Sequence, residues 1–145
     1  MLTEILLQNL FWVINMATQI VKVGSLKEGK LVVIDGEPCK IISIQISKPG
    51  KHGSAKARVE GISLFTGAKK TLLKGTGDNV EIPVVEKKQA QVIAKLGENM
   101  VQVMDLSTYE TYEIDVPEEF KDKIDVGSEL DIHEIMGKKL IVRVR

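Results

Sequence analysis

Aromatic side chains are scarce in this 145-residue chain: three Phe, two Tyr and one Trp, 4% in all. A broad base-stacking platform therefore has little material. There is one cysteine, Cys39, which excludes an internal disulfide and a thiolate zinc site. Its place in the run Cys39-Lys40-Ile41-Ile42 predicts a small buried side chain in a reduced, intracellular protein. The only histidines, His52 and His133, fall in different halves of the chain, and neither a Ser–His–Asp set nor a metal-ligand spacing is present. No apolar run is long enough to cross a bilayer, so no membrane partner is expected. Net charge is zero, which by itself gives no reason to expect a polyanionic partner. What remains is a chain 43% hydrophobic, able to bury cores and too apolar to be disordered.

The first fifteen residues, MLTEILLQNLFWVIN, differ from the rest: they hold the only Trp, Trp12, and one charge, Glu4. They lack a basic leading region and a small-residue cleavage site, which argues against a signal peptide. Leu2, Ile5, Leu6, Leu10 and Val13 would share one face of a short helix. Two readings stay open for 1–15: an appended packing or oligomerisation helix, or a mis-assigned start, with Met16-Ala17 opening the β-patterned chain.

From Met16 onward the pattern is strand-like. Leu31-Val32-Val33-Ile34 runs into Asp35-Gly36, a strong hairpin signal. Ile42, Ile44 and Ile46 are expected on one strand face, with Ile41, Ser43 and Gln45 on the opposite, more polar one. Val59, Ile62, Leu64 and Phe65 read as a strand that Gly61 interrupts with a bulge. Gly75-Thr76-Gly77-Asp78-Asn79 reads as a plain turn. A second block of strands starts near Val85, with Pro117-Glu118-Glu119-Phe120 as a single helical turn and a closing hairpin around Gly137. Many short strands without a βαβ pattern predict small sandwiches or barrels, and the length suits two small domains, 16–84 and 85–145.

Charge divides the chain at the same place. Residues 16–84 carry 11 Lys and Arg against 6 Asp and Glu, net +5, and 85–145 carry 9 against 13, net −4. The basic half is the one suited to a polyanion. Between Glu37 and Glu60 there is no acidic residue, while Lys40, Lys48, Lys51, His52, Lys56 and Arg58 all lie there. Most cluster in Ser47-Lys48-Pro49-Gly50-Lys51-His52-Gly53-Ser54-Ala55-Lys56-Ala57-Arg58, flanked by strands and so expected to form the long loop of a hairpin. Pro49 stiffens the ascending arm, Gly50 and Gly53 free the backbone, and Lys51 stands between them with an accessible amine. Crowding like charges on one loop costs stability that an external anion offsets.

This twelve-residue segment resembles the hypusine-loop signature of the translation factor 5A family in its archaeal form. Asp35-Gly36-Glu37-Pro38-Cys39, the stretch from Val84 to Val92, and the stretch from Val101 to Glu110 resemble family segments in the same order, so the likeness runs from about Ala17 to Arg145. It implies an all-β chain with an N-terminal SH3-like β-barrel followed by a C-terminal OB-fold barrel. Deoxyhypusine synthase would transfer a spermidine-derived aminobutyl group to Lys51, with hydroxylation as the further step that gives hypusine. Ser47, Lys48, Pro49, Gly50, His52, Gly53 and Ser54 would form the rest of the hypusine loop, His52 and the glycines aiding the synthase. The cytoplasmic factor would bind the ribosome, its rRNA and the P-site tRNA, and promote peptide bond formation at proline runs. Lys48, Lys56 and Arg58 are the RNA-contact candidates. No cofactor, metal, catalytic residue or small-molecule substrate is expected.

Other readings are weaker. Gly24-Ser25-Leu26-Lys27-Glu28-Gly29-Lys30-Leu31 mimics a phosphate-binding loop, but Leu31 has no hydroxyl for magnesium and Lys30 leads into a strand. A Schiff-base role for Lys51 needs a depressed pKa, which an exposed polar loop does not supply. An unmodified SH3- or OB-type RNA-binding protein is the alternative; against it, the presumptive OB half is the acidic one, and Tyr109 and Tyr112 are expected at its core or rim.

Overall fold

The computed structural model describes residues 17–48 and 55–145; segment 1–15 and loop residues 49–54, Lys51 among them, lie outside the described residues. The chain divides into two compact units, one ending at Val84 and the other spanning Val85–Arg145. The described residues form eleven strands and two short 3-10 turns, an all-β chain as the alternation predicts.

In the first unit, β1 (Thr18–Lys22) pairs with β6 (Asn79–Pro83), and β2 (Leu31–Ile34), β3 (Glu37–Ser47), β4 (Lys56–Ser63) and β5 (Lys69–Gly75) form an antiparallel sheet in chain order. Strand β2 also lies beside β6, so the two sheets curl into an SH3-like barrel. The core is Val23, Val32, Ile34, Cys39, Ile41, Ala57, Val59 and Val80. Most are β-branched, which suits a pleated, half-buried surface. Asp35 and Gly36 form the two-residue β2–β3 turn, with φ of 53° and 77°. Positive φ at both positions is the primed turn whose twist matches the strands it joins.

Strand β3 departs from simple alternation. The pairing with β4 runs Ile41 to Gly61 and then Ser43 to Glu60, so Ile42 is an inserted bulge residue. Ile41 is therefore buried and Ile42 is 47% exposed, the reverse of the predicted faces. Beyond the bulge the inward set moves to even numbers: Ile44 leans on the core and Ile46, past its edge, is 62% exposed. The bulge lies across from Gly61, not in its own strand. A Cβ at Gly61 would sit 2.9 Å from the Cys39 Cβ, which explains the glycine by close approach. Leu64 and Phe65, read as strand, fall in the turn after β4.

The second unit has one five-stranded sheet in the order β11-β10-β7-β8-β9. Its strands are β7 (Val85–Lys95), β8 (Met100–Asp105), β9 (Thr111–Asp115), β10 (Glu129–Ile135) and β11 (Lys138–Val144). Numbered within the unit this is 5-4-1-2-3, and β9 approaches β11, which closes the sheet. It is the five-stranded Greek-key barrel of an OB-fold. The core is Ala90, Val92, Val101, Val103, Ile114, Val116, Ile124, Leu130, Ile132 and Ile141. The 3-10 turn Glu118–Phe120 forms where expected, with Pro117 as its cap rather than its first residue.

Candidate nucleic-acid interface

Strands β3 and β4 make a long hairpin whose last pair is Ser47 with Lys56. Residues 48–55 therefore join its ends, on the segment that the sequence singles out. Of the predicted site residues, Ser47, Lys48, Lys56 and Arg58 are placed; Pro49, Gly50, Lys51, His52, Gly53 and Ser54 lie outside the described residues. Ser47 and Lys48 are exposed at the leading end and Lys56 at the trailing end.

Alternation on β4 sorts the charges. Ala57 and Val59 are fully inward, so Lys56, Arg58 and Glu60 stand on the outer face. Glu60 accepts from Arg58 at 3.3 Å and from Lys69 at 3.2 Å, so one carboxylate serves two cations. Arg58 remains 57% exposed, and an exposed pair of this kind is readily exchanged for an external anion. Lys40, opposite Ile62 on the same outer face, is exposed as well. The face around the hairpin base is thus cationic, and its acid is saturated.

The trailing arm has a support that the sequence did not reveal. Ala55 C=O accepts from the Thr76 N–H at 3.0 Å and from Thr76 Oγ1 at 3.4 Å. Thr76 lies in the β5–β6 turn, which Asp78 closes by accepting the Gly75 N–H at 2.9 Å. The signal in sequence was the Gly-Thr-Gly-Asp composition of the turn, which marks a turn but says nothing of what it touches.

The second unit holds a different kind of polar surface. A groove of about 680 Å³ is lined by Lys87, His133, Arg143, Arg145, Ser107 and Thr108 among others. Here three cations face carboxylates: Asp131 forms ion pairs with Arg143 at 3.6 Å and with Arg145 at 3.1 Å, and Lys88 pairs with Glu134 at 2.8 Å. That hydrogen bond holds the Glu134 carboxyl below its ordinary range and raises the Lys88 ammonium above its own. Asp105 is buried and accepts the backbone N–H groups of Ser107 at 2.7 Å and Thr108 at 3.0 Å. Those bonds keep its carboxyl low. The same turn holds Tyr109 at φ 61° and 71% exposed, so Tyr109 is a rim residue. Tyr112 packs against the core, Lys139 lies 4.4 Å over its ring, and its buried hydroxyl finds no partner among the described residues. No cluster of three or more His, Cys, Asp or Glu suited to a metal occurs among the described residues. None of the helices there is long and apolar enough to cross a membrane.

Comparison with known proteins agrees with this arrangement. Residues 16–77 match the family described as Translation initiation factor 5A-like, N-terminal. The chain is 51% identical over 125 residues to Translation initiation factor 5A of Metallosphaera sedula, covering 85% of this chain and 95% of that one. This chain belongs to the translation initiation factor 5A family. The factor 5A of Archaeoglobus fulgidus is 49% identical, covering 87% of this chain and 98% of that one. Among solved structures, the eukaryotic translation initiation factor 5A from Methanococcus jannaschii superposes with a TM-score of 0.82 at 47% identity, covering 89% of this chain and 96% of that chain. The family is thus recognised over both barrels, and the relatives place this member with the archaeal factors 5A.

Proposed function

We propose that this factor 5A is a non-enzymatic, cytoplasmic protein that binds the ribosome, and that its working group is Lys51 extended by a spermidine-derived aminobutyl group. One observation carries the reading: the acid-free segment from Ser47 to Arg58 joins the two strands of the longest hairpin in the basic unit. A deoxyhypusine synthase makes the extension. The Lys51 Nζ forms a new bond to the aminobutyl carbon of spermidine, the bond from that carbon to the secondary nitrogen breaks, and 1,3-diaminopropane leaves. One C–N bond replaces another, with no net oxidation. His52, Gly50 and Gly53 supply the recognisable surroundings for that enzyme.

The extension roughly doubles the reach of the side chain, judged from standard bond lengths, and turns one cation into two. Amines of this kind are compact charges with rotatable donors, suited to phosphate and 2′-hydroxyl oxygens. Lys48, Lys56 and Arg58 bind rRNA and tRNA backbone and hold the loop in register. The extended Lys51 then approaches the acceptor end of the P-site tRNA and orients it for peptide bond formation, most usefully at proline runs. The gain is positional, since a correctly held reactant no longer has to find its geometry.

The test is Lys51→Arg. The variant keeps the fold, gains no adduct mass with synthase and spermidine, and loses stimulation of peptide bond formation on proline-run messages. Full activity or normal growth with Lys51→Arg would discard the role of that residue and leave an unmodified RNA-binding protein as the better account.

A further inference from the structure

The four-stranded sheet of the first unit turns one face away from the core. Ala57 and Val59 are buried inward, so the alternate positions of β4 and their cross-strand partners point out. The register places Ile62 between Lys40 and Lys69, Glu60 between Ser43 and Thr71, and Arg58 between Gln45 and Leu73. Lys40, Lys56, Arg58 and Lys69 are all exposed on this face. With strands about 4.8 Å apart and about 3.4 Å per residue, the four cations cover a patch about 10 Å across and about 20 Å long. An RNA strand can lay several phosphates along such a patch. None of the outward residues named here is aromatic, so the face offers cations for phosphates and no platform for bases.

One acid stands among these cations. Glu60 Oε1 lies 3.3 Å from Arg58 Nη2, and Glu60 Oε2 lies 3.2 Å from Lys69 Nζ, so each oxygen holds one cation. The Glu60 side chain is 21% exposed, whereas those of Arg58 and Lys69 are 57% and 58% exposed. The carboxylate therefore sits lower in the surface than the cations it serves, and their outer sides stay open to solvent. In the free protein Glu60 relieves the repulsion among like charges. Exposed pairs of this kind are weak, and an Arg fork meets a phosphate with two parallel hydrogen bonds, so a phosphate can take the place of the carboxylate.

We infer that this outer face is a docking track for the RNA phosphate backbone, that Lys40 and Lys69 extend it beyond Lys56 and Arg58, and that Glu60 is its built-in counter-ion, displaced when RNA binds. The inference rests on the reading of this factor as a ribosome-binding protein and is independent of Lys51. Glu60 holds the affinity below what the four cations alone would give, which eases release.

The experiment uses the full chain, prepared without synthase so that Lys51 is unextended in every sample. Binding to ribosomes, to a labelled oligouridine and to a polyglutamate peptide is measured from about 0.05 to 0.2 M salt. Glu60→Gln keeps the shape and removes the charge; Glu81→Gln, on β6 outside this sheet, controls for the loss of any acid. Lys40→Gln and Lys69→Gln shorten the track; Lys22→Gln, on β1, controls for the loss of any cation. For Glu60→Gln the expected result is oligouridine and ribosome binding about threefold tighter, the scale of one exposed ion pair. Its slope of log affinity against log salt steepens by about 0.7, one more phosphate neutralised on a single strand. Lys40→Gln and Lys69→Gln each weaken binding by about threefold and make the slope shallower by about 0.7. The inference is overturned if Glu60→Gln changes affinity and slope no more than Glu81→Gln, or if the two track lysines behave as Lys22→Gln does. A gain for polyglutamate with none for oligouridine or ribosomes would assign the face to an acidic protein and overturn it as well. Failure of the parent to bind ribosomes, with the oligouridine results as expected, would remove the ribosome reading and leave the RNA track standing.

Discussion

Strands β3 and β7 are each eleven residues long, each is paired with a neighbour on both sides, and each carries a bulge: Ile42 in the first, Ile93 in the second. Yet β3 runs on into the basic connection 48–55, and β7 turns back through 96–99. The units around them are also alike inside and unlike outside. Both cores are built mainly from Val, Ile and Ala, while the surfaces carry net +5 over 16–84 and net −4 over 85–145. Core composition sets a β-barrel in either case and does not distinguish the two. The distinction lies in what projects from the barrel and in whether its cations are already matched by acids. In the second unit Asp131 and Glu134 occupy the nearby Arg and Lys groups, whereas Glu60 alone serves the outer face beside the loop.

Three substitutions sharpen this contrast. The largest effect on stability is expected from Leu130→Ala, since Leu130 is fully buried in the second core; the loss should be about 3 kcal/mol by denaturant unfolding. If the cores only hold the barrels, activity per folded molecule stays at the parental level, and a specific loss of activity would show that the second unit also contributes directly. Next comes Asp105→Ala, which leaves two backbone N–H groups without their acceptor and costs about 2 kcal/mol. The folded carboxyl titrates below its unfolded value, so its contribution is complete above the unfolded pKa and is lost as pH falls through the folded one. The parent should therefore lose stability below about pH 4, and Asp105→Ala should show a shallower acid slope; identical slopes would reject the assignment. The smallest effect on stability is expected from Arg58→Ala, under about 1 kcal/mol because the pair with Glu60 is exposed. Its ribosome affinity should nonetheless fall and the salt dependence become less steep, by about one counterion. An unchanged salt slope would take Arg58 out of the interface.

Much of the fold was legible because local chemistry and tertiary demand agree. Asp35-Gly36 specified its turn by tolerating positive φ at two successive positions. The reading failed at β3 for a definite reason. Three isoleucines at alternate positions look like one face, but an inserted residue reverses the faces, and nothing at Ile42 itself announces the insertion. Gly61 did mark the place, though for the packing of Cys39 across the sheet rather than for a bulge in its own strand. Tyr109 was ambiguous because exposure depends on the turn that Asp105 builds, not on the residue type.

The sequence by itself determined the all-β class, the charge asymmetry and the acid-free basic segment between two strands, since these follow from side-chain period, net charge and residue order along one chain. The tertiary structure decided which face of β3 is buried, that one carboxylate serves both Arg58 and Lys69, and that Thr76 grips Ala55. The link from Glu60 to Lys69 spans nine residues of chain and that from Ala55 to Thr76 spans twenty-one, and such pairings are set by which strands lie side by side, a choice made by the packing of the whole barrel rather than by any local stretch.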